Sequence, residues 1–283
     1  MAMTMVVMAA GVGSRFGGMK QLAAIGPSGE TLFDYSVYDS LRAGFDRVVF
    51  VVSEQSRAAV VPHVEAGCGR HVEVRYAEQP PMGRKKPMGT GHALLSACSE
   101  VDGPFGVVNA DDFYGTKSFQ LLGRALRDDD KDHVLVGFRL ADTLSPNGGV
   151  SRARCVVEGG LLASIRELHD VQQVDGALSC REGEELTGEE LVSANLWGFR
   201  PDFCRALDEE FARFRAELGN HPDAELLIGD AVESVMRAGG PAVRVVPTPE
   251  RFLGVTFRED VDGVAWDVAV LVDQGVYPSP LWG

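Results

Sequence analysis

The chain has 283 residues, of which 45% are hydrophobic and 24% charged, a balance typical of a folded, water-soluble protein with one large core. Its formal net charge of -14 argues against nucleic acid as a partner, because a polyanion is bound by clustered positive charge. The five cysteines include no Cys-x-x-Cys pair, so we expect neither a zinc cluster nor a disulfide framework, and we expect a protein of the reducing cytoplasm.

Short apolar runs alternate with helix-length amphipathic segments over the first half of the chain. Strands are predicted at residues 5–10, 48–52, 72–76 and 105–109, and helices at residues 31–43, 55–65 and 93–99. Strands that are buried on both faces and separated by helices imply a mostly parallel sheet in an α/β structure. No apolar run approaches the roughly 20 residues that cross a bilayer, so we expect no membrane partner.

The second half of the chain is less regular. Strands are predicted at residues 134–139, 150–157, 161–167, 193–199 and 243–246, and helices at residues 201–217 and 224–237. The polar, glutamate-rich stretch 172–190 is predicted to be an exposed hairpin or insert. Because no repeat or Pro/Gly-rich linker divides the chain, we predict a single domain over residues 1–283 with two halves, 1–130 and 131–283.

The strongest motif follows the first strand and reads MAAGVGSRFGGMK at residues 8–20. Gly11 and Gly13 let the backbone approach a phosphate and present N–H groups to it. Arg15 and Lys20 supply cations for a negatively charged leaving group. The third glycine of a Rossmann dinucleotide fingerprint is missing, and no Gly-Lys-Ser/Thr of a P-loop follows. The motif therefore favours a polyphosphate site of another kind over a plain glycine turn.

A second motif, Asn-Ala-Asp-Asp, ends the buried strand at residues 105–109 and continues to Asp112. Open α/β sheets place ligands at the carboxyl ends of their strands. A carboxylate there can hold Mg²⁺ while phosphate oxygens fill other positions. Alternating side-chain direction leaves one acid of the pair facing the ion, and we favour Asp111 over Asp112. The alternative is that either acid caps a helix or turn.

A third motif lies before the helix predicted at residues 93–99. Gln79 offers both a donor and an acceptor, which suits the edge of a nucleobase. Gly89 and Thr90 open the helix, whose N-terminus favours an anion or a polar ligand edge. The cationic run at residues 84–86 is either a cover for a triphosphate or an exposed solubilising loop. His92 is interpreted as a packed helix residue without a chemical role.

Together these motifs resemble those of the nucleotidyltransferase superfamily that makes NDP-sugars, and they are similar to those of sugar-1-phosphate nucleotidylyltransferases. The resemblance implies a Rossmann-like, GT-A-type α/β fold with a mixed, mostly parallel central sheet, flanking helices and a substrate-binding subdomain in the second half. It implies a triphosphate loop at Ala10, Gly11, Gly13 and Ser14, phosphate contacts from Arg15 and Lys20, base contacts from Gln79, Gly89 and Thr90, and Mg²⁺ on Asp111.

The resemblance continues more faintly in the second half, which would bind the acceptor. It places Gly149 against the sugar, Glu167 and Asn195 near sugar hydroxyls, and His169 where the family has a lysine on the sugar phosphate. The segment 252–260 departs from the family's second metal ligand and resembles the ending of cytidylyltransferases of polyol and isoprenoid-precursor phosphates. The second metal ligand is then missing, or is Thr256 or Asp260.

The resemblance implies an enzyme that condenses an NTP with a sugar 1-phosphate, or a sugar-like cyclitol phosphate, by Mg²⁺-dependent in-line attack on the α-phosphorus. The alternatives are a cytidylyltransferase acting on a polyol or isoprenoid-precursor phosphate, and a non-catalytic nucleotide-sugar sensor. A GT-A glycosyltransferase is disfavoured because Asp111 and Asp112 lack Asp-x-Asp spacing. A homo-oligomer is compatible with the sequence, since the tail at residues 278–282 is expected to dock either on its own core or on a partner chain.

Overall fold

The computed structural model describes residues 2–11, 16, 18–84, 86–128 and 131–283. The strands are β1 (Thr4–Met8), β2 (Arg47–Val52), β3 (Glu73–Glu78), β4 (Phe105–Asn109), β5 (Asp112–Phe113), β6 (His133–Arg139), β7 (Val150–Glu158), β8 (Leu161–Val174), β9 (Ala177–Ser179), β10 (Leu191–Phe199), β11 (Val243–Pro247) and β12 (Leu253–Gly254). The helices are α1 (Leu32–Arg42), α2 (Glu54–Ala66), α3 (Thr90–Ala97), α4 (Thr116–Arg127), α5 (Asp202–Leu218), α6 (Ile228–Arg237) and α7 (Asp260–Asp273).

The centre of the molecule is one ten-stranded mixed sheet in the order β3-β2-β1-β4-β10-β6-β11-β8-β7, with β9 paired to β8. Pairing is parallel from β3 to β4 and between β6 and β11, and antiparallel elsewhere. The predicted α/β fold with a mixed, helix-flanked sheet is confirmed. The expectation of a mostly parallel sheet was wrong for the second half of the chain, because β10 runs antiparallel to both β4 and β6 and β7–β9 form antiparallel hairpins. Because β10 lies between β4 and β6, strands from both halves of the chain share this sheet.

Apolar side chains cover both faces of the sheet, as the continuous apolar runs predicted. In β1, Met5 and Val7 belong to one core cluster and Val6 and Met8 to the other. Helices α1, α2 and α4 pack against the first face, and α3, α5 and α6 pack against the second. Burial on both faces fixes the strand positions, so the polar residues that follow β1 and β4 emerge together at one edge.

The C-terminal tail docks on its own core. Leu281 is buried and Trp282 stacks on the ring of His71, so the exposed appearance of these apolar residues in the sequence was misleading. The Tyr277 hydroxyl donates to the Asp39 carboxylate at 2.6 Å, and Thr116 donates to the same carboxylate at 2.9 Å. The tail is thereby tied to helices α1 and α4.

Relative to that of an Asp39→Asn variant, we expect the free energy of unfolding of the wild-type protein to fall as the pH rises through the pKa of the buried Asp39 carboxyl. Burial raises the pKa of Asp39 from 3.8 to about 6. Between these values the unfolded chain releases a proton that the folded chain keeps, so the stabilisation is complete at lower pH and is lost as the pH passes the folded pKa. The loss is about 3 kcal/mol in all. Urea unfolding at unit pH intervals across this window measures it, and parallel stability curves for the two proteins would contradict it.

Two sequence expectations about local structure were wrong. The helix predicted at residues 224–237 begins only at Ile228, because Leu226 exchanges backbone hydrogen bonds with Met88 and Gly91 and is held in an extended conformation. Cys98 and Cys204 form a disulfide although no disulfide was expected. These two cysteines are 106 residues apart, and they meet because α3 packs against α5. A spacing rule based on neighbouring cysteines does not detect such a pair.

The stretch 172–190 contains the predicted hairpin, formed by the end of β8 and by β9. In the described part of the chain, no helix is both long enough and apolar enough to cross a membrane. A cytoplasmic location stays a prediction.

Candidate active site

The glycine motif and the paired acids meet at one edge of the sheet. Strands β1 and β4 pair in parallel with Met8 opposite Asn109, so the residues that follow them are neighbours. The Ala110 N–H donates to the Met8 carbonyl at 3.2 Å. Lys20, the last residue of the glycine motif and the first of a 3-10 turn, forms an ion pair with the Asp111 carboxylate. Two motifs that are about a hundred residues apart in sequence therefore build one charged site, as ligand sites in open α/β sheets do.

The glycine loop is anchored by side chains that sequence reasoning missed. The buried Gln21 amide donates to the Ala9 carbonyl at 3.2 Å and to the Gly11 carbonyl at 2.8 Å. The Ser53 hydroxyl donates to the Ala10 carbonyl at 3.1 Å. The only sequence signal for Gln21 is its place directly after Lys20. Three other predicted loop residues lie outside the described residues, namely Gly13, Ser14 and Arg15.

We expect Gln21→Ala to weaken NTP binding about tenfold, because two hydrogen bonds that hold the loop carbonyls are lost at about 0.5–1.5 kcal/mol each. Titration calorimetry with NTP measures this. Gln173→Ala is the matched control, since among the described residues its amide donates only to the Gly176 carbonyl at the tip of the β8–β9 hairpin. Equal affinities for Gln21→Ala and the wild-type chain would show that the loop does not need this anchor.

The two acids of the second motif have different environments. Asp112 is 9% exposed and accepts a hydrogen bond from the Asn109 amide at 2.7 Å. Burial, and to a lesser extent the charge of Asp111, raise the pKa of Asp112 well above its usual range. The Asp111 side chain is 17% exposed and faces Lys20. Asp111 is thus the more exposed of the two acids, and its role as a metal ligand stays a prediction.

The segment proposed to bring a second metal ligand runs beside these acids. Strand β12 pairs antiparallel with β5, which sets Gly254 opposite Asp112. The Val255 N–H donates to the Asp111 carbonyl at 3.2 Å. A Cβ on Gly254 would lie 2.8 Å from the Phe252 ring and 2.9 Å from the Asp112 carboxylate, so a larger residue would force one of these side chains to shift. Thr256 directly follows Val255 in the chain.

A cavity of about 480 Å³ opens beside Ala10 and is lined in part by Ser53, Gln79 and Arg84. The Gln79 amide nitrogen donates to the Gly89 carbonyl at 3.2 Å and lies 3.3 Å from Nδ1 of His92. Only an N–H can donate to a carbonyl, so the contact with Gly89 fixes the orientation of the amide. The volume of the cavity is within the range of small-molecule sites, and contact between Gln79 and a nucleobase stays a prediction.

The His92 side chain, on α3, contacts the Gln79 amide. Its ring stacks on Phe211 with centroids 4.7 Å apart, and burial lowers its pKa. A neutral imidazole whose Nδ1 accepts from the Gln79 amide fits this environment. His92 is therefore the packed helix residue that the sequence suggested.

The Gly-Thr-Gly turn packs against the segment that leads into α6. Gly89 has φ +94°, and a Cβ there would lie 2.9 Å from the Leu226 backbone. The Thr90 hydroxyl accepts the Ile228 N–H at 3.1 Å and so holds the start of α6. These contacts explain why Gly89 is a glycine and why Thr90 carries a hydroxyl. Contact of either residue with a nucleobase stays a prediction.

Two side chains of the cationic run beside this turn, Arg84 and Lys86, contact other residues of the protein. Arg84 donates to the Ala224 carbonyl at 2.9 Å, and Lys86 pairs with Glu225 at 2.8 Å. These contacts favour a loop fastened to the segment before α6 over a cover for the triphosphate. Lys85 lies outside the described residues.

Four residues of the second half were predicted to bind the acceptor. Glu167 lies on β8, and burial raises its pKa to about 7 against the opposing effects of His169 and Arg152. The His169 ring lies 2.8 Å from the Glu182 carboxylate, which also accepts the His169 N–H at 3.0 Å. His169 is therefore already paired with an acid.

Both Gly149 and Asn195 make contacts within the protein that account for the residue type at their positions. A Cβ on Gly149 would lie 2.9 Å from the Asp170 Cα, so the two backbones need glycine at this contact. Asn195 has φ +63° within a bulge of β10, and its side-chain oxygen accepts from the Trp197 ring nitrogen at 3.3 Å. Bulges and positive φ values in residues other than glycine occur often beside functional sites.

Residues 5–173 match the sequence profile of the MobA-like NTP transferase domain. The chain belongs to this family. It is therefore a nucleotidyltransferase, as its motifs predicted. No curated protein matches the sequence.

Solved structures with the same fold include other nucleotidyltransferases. The inositol-1-phosphate CTP transferase from T. maritima is 14% identical, with a TM-score of 0.66 over 94% of this chain and 95% of that chain. A putative glucose-1-phosphate thymidylyltransferase from Bacillus anthracis, in complex with a sucrose, is 12% identical, with a TM-score of 0.68 over 94% and 95%. HddC from Yersinia pseudotuberculosis is 15% identical, with a TM-score of 0.58 over 93% and 98%.

In this MobA-like transferase, Asp260 acts as an anchor. One carboxylate oxygen accepts from Ser145 at 2.7 Å and from Asn147 at 2.9 Å, and the other accepts the N–H groups of Thr256 at 2.9 Å and Phe257 at 2.7 Å. A carboxylate offers about four such positions, and all of them are used. The role of Asp260 as a metal ligand stays a prediction, and it would require one of these bonds to break.

The residues at the edge of the sheet fit a magnesium ion held by few protein ligands. No group of three or more His, Cys, Asp or Glu side chains in the described residues could hold a metal. Mg²⁺ commonly uses only one or two carboxylates together with substrate phosphates and water. Asp111 offers such a carboxylate, and the Lys20 ammonium beside it shows that the position already stabilises positive charge.

Tyr114 links the two halves of the site and was not predicted as a site residue. Its buried hydroxyl accepts the Asn109 N–H at 2.9 Å and donates to the Ala194 carbonyl at 3.0 Å. It also lies 3.4 Å from the Asp112 carboxylate. The end of β4 and the bulge that carries Asn195 are thereby held in a fixed relation. This link depends on contacts between distant strands and has no local sequence signal.

Proposed function

We propose that this nucleotidyltransferase condenses an NTP with the phosphate of a sugar or sugar-like cyclitol, giving an NDP-linked product and pyrophosphate. The observation that carries the proposal is the ion pair of Lys20 and Asp111 at the shared edge of β1 and β4. This edge holds a cation and a carboxylate beside a glycine loop, as phosphate chemistry requires.

The proposed mechanism depends on positioning and charge neutralisation. An acceptor phosphate oxygen attacks the α-phosphorus in line, and pyrophosphate leaves, so two anions must be brought together. Lys20 and Arg15 would hold the β- and γ-phosphates, and Asp111 would hold Mg²⁺. The bound ion supplies positive charge at the reacting phosphates. No serine, cysteine or histidine nucleophile is needed.

The acceptor class is supported by the polar groups of the second half. Glu167 is a partly buried carboxyl that can bond hydroxyls in either protonation state, and Asn195 lies in the bulge tied to Tyr114. Two proteins of the same fold are named for acting on inositol 1-phosphate and glucose 1-phosphate. Both acceptors are cyclic polyols that carry one phosphate, which supports a ring polyol phosphate here.

Measurement of pyrophosphate release with Mg²⁺, across a matrix of NTPs and phosphorylated sugars, cyclitols and linear polyols, tests the proposal. We expect one NTP and one ring polyol phosphate to be productive. Turnover only with CTP and a linear polyol or isoprenoid-precursor phosphate would favour the cytidylyltransferase alternative. NTP binding without turnover across the matrix would favour a sensor.

A further inference from the structure

The amide nitrogen of Gln79 contacts two groups of the protein, and both act as hydrogen-bond acceptors. It lies 3.2 Å from the Gly89 carbonyl oxygen and 3.3 Å from Nδ1 of His92. Because a carbonyl can only accept, the Gln79 atom in both contacts is the nitrogen, and Nδ1 of His92 accepts from it. The His92 ring therefore carries its hydrogen on Nε2. The amide nitrogen has two hydrogens, and the protein offers one acceptor for each.

Packing fixes the position of both acceptors. The His92 side chain is 4% exposed, and its ring lies parallel to that of Phe211, with 3° between the planes and 4.7 Å between the centroids. The turn that carries the carbonyl acceptor is held by a hydrogen bond from the Gly91 N–H to the Leu226 carbonyl at 2.8 Å. Rotation of the Gln79 amide would therefore break two hydrogen bonds inside a packed region, which is costly.

The amide oxygen of Gln79 is the group left for a ligand. Gln79 lines the cavity of about 480 Å³ beside Ala10, and its oxygen accepts no hydrogen bond from the residues that the structure describes. A glutamine that is free to rotate offers a ligand either an N–H or an oxygen. With its nitrogen held by His92 and Gly89, Gln79 offers only the oxygen.

We propose that His92 is a positioning residue that sets nucleobase selectivity by keeping Gln79 as an acceptor only. This inference rests on the proposed function, because it takes the cavity beside Ala10 as the site of the base. Gln79 then favours a base that presents an N–H to it. A base that presents a carbonyl oxygen or a ring nitrogen lone pair is disfavoured, since two acceptors would face each other. His92 acts through Gln79 and does not itself contact the base.

Two substitutions at His92 separate hydrogen bonding from packing. His92→Phe keeps a ring against Phe211 but has no acceptor, whereas His92→Asn keeps an acceptor and loses the ring. We expect His92→Phe to weaken binding of the preferred NTP about fivefold and to reduce its preference over the other NTPs by the same factor. We expect His92→Asn to keep most of both. Calorimetry with ATP, CTP, GTP and UTP in the presence of Mg²⁺ measures them. The reverse order, with His92→Phe harmless and His92→Asn damaging, would overturn the inference and make His92 a packing residue.

Inorganic tripolyphosphate reports on the phosphate contacts alone, because it has no base. We expect both His92 variants to bind it as the wild type does. An equal loss of tripolyphosphate and NTP affinity in both would overturn the inference, since the whole site would then be disturbed. His71→Phe is the matched control, because the His71 ring is also stacked on an aromatic ring, that of Trp282. It should leave the affinities for all these ligands unchanged.

A double variant tests whether His92 acts through Gln79. If it does, His92→Phe should cause no further loss of NTP affinity or selectivity in a protein that already carries Gln79→Ala. Losses that add up in the double variant would overturn the inference.

These binding measurements need no acceptor, so failure of the inference is distinguishable from failure of the proposed function. Unchanged NTP selectivity in His92→Phe, with turnover retained, would refute the role of His92 and leave the reaction intact. Selective NTP binding that depends on His92, without turnover for any acceptor, would retain this role and refute the reaction. Equal affinity of the wild-type protein for all four NTPs would overturn the inference.

Discussion

Replacing Asp111 with alanine is expected to lower pyrophosphate release at least about a hundredfold, equivalent to about 3 kcal/mol of transition-state stabilisation. Asp111 is the more exposed of the two acids at the end of β4, and it is the one that faces Lys20. Without its carboxylate the site loses the ligand that would hold Mg²⁺ beside the α-phosphate. Single-turnover rates measured against Mg²⁺ concentration test this.

NTP affinity makes the Asp111→Ala experiment more specific. Without Mg²⁺, the Asp111 carboxylate repels the triphosphate and competes with it for Lys20, so the variant should bind free NTP at least as tightly as the wild type does. In the presence of Mg²⁺, this advantage should disappear. Asp102→Ala is the control, because Asp102 is an exposed acid whose nearest described cation, Arg47, lies 3.5 Å away. Near-full turnover of a folded Asp111→Ala protein would remove this residue from the mechanism.

Local sequence signals correctly placed the glycine motif and the paired acids at the ends of buried strands. The buried runs before Ala9 and Asn109 predicted β1 and β4, and parallel pairing then brought the glycine motif and Asp111 together. The periodicity of side chains along the strand also favoured Asp111 over Asp112. These inferences depend only on burial, strand direction and residue type. Each of these can be predicted from a short stretch of sequence.

The parts that the sequence did not predict depend on distant contacts. Tyr114 acts by reaching the carbonyl of Ala194, 80 residues away in sequence. Cys98 meets Cys204 only because two helices pack on the same face of the sheet. Asp260 has the residue type of a metal ligand, yet its hydrogen bonds to two loops are visible only in three dimensions. Residue type and spacing do not show these hydrogen bonds, and the role of Asp260 as a metal ligand stays a prediction.

Replacing Lys20 with alanine is expected to weaken NTP binding about tenfold or more and to lower turnover by a similar factor. The Lys20 ammonium is paired with Asp111, and its side chain is 28% exposed, so it can move to an incoming phosphate. A charge-assisted contact of this kind is worth about 1.5–3 kcal/mol. NTP affinity by calorimetry and steady-state kinetics measure the two effects.

A series of ligands decides whether Lys20 acts on the outer phosphates or only balances the charge of Asp111. If it holds the β- and γ-phosphates, Lys20→Ala should weaken NTP and pyrophosphate binding while nucleoside monophosphate affinity stays the same. If it only balances Asp111, the double variant with Asp111→Ala should recover NTP affinity, because no unpaired carboxylate remains. Lys20→Arg keeps the charge and should retain part of the affinity in the first case. An unchanged NTP affinity together with unchanged turnover would make Lys20 a surface residue, and the ion pair at this edge would then have no part in phosphate chemistry.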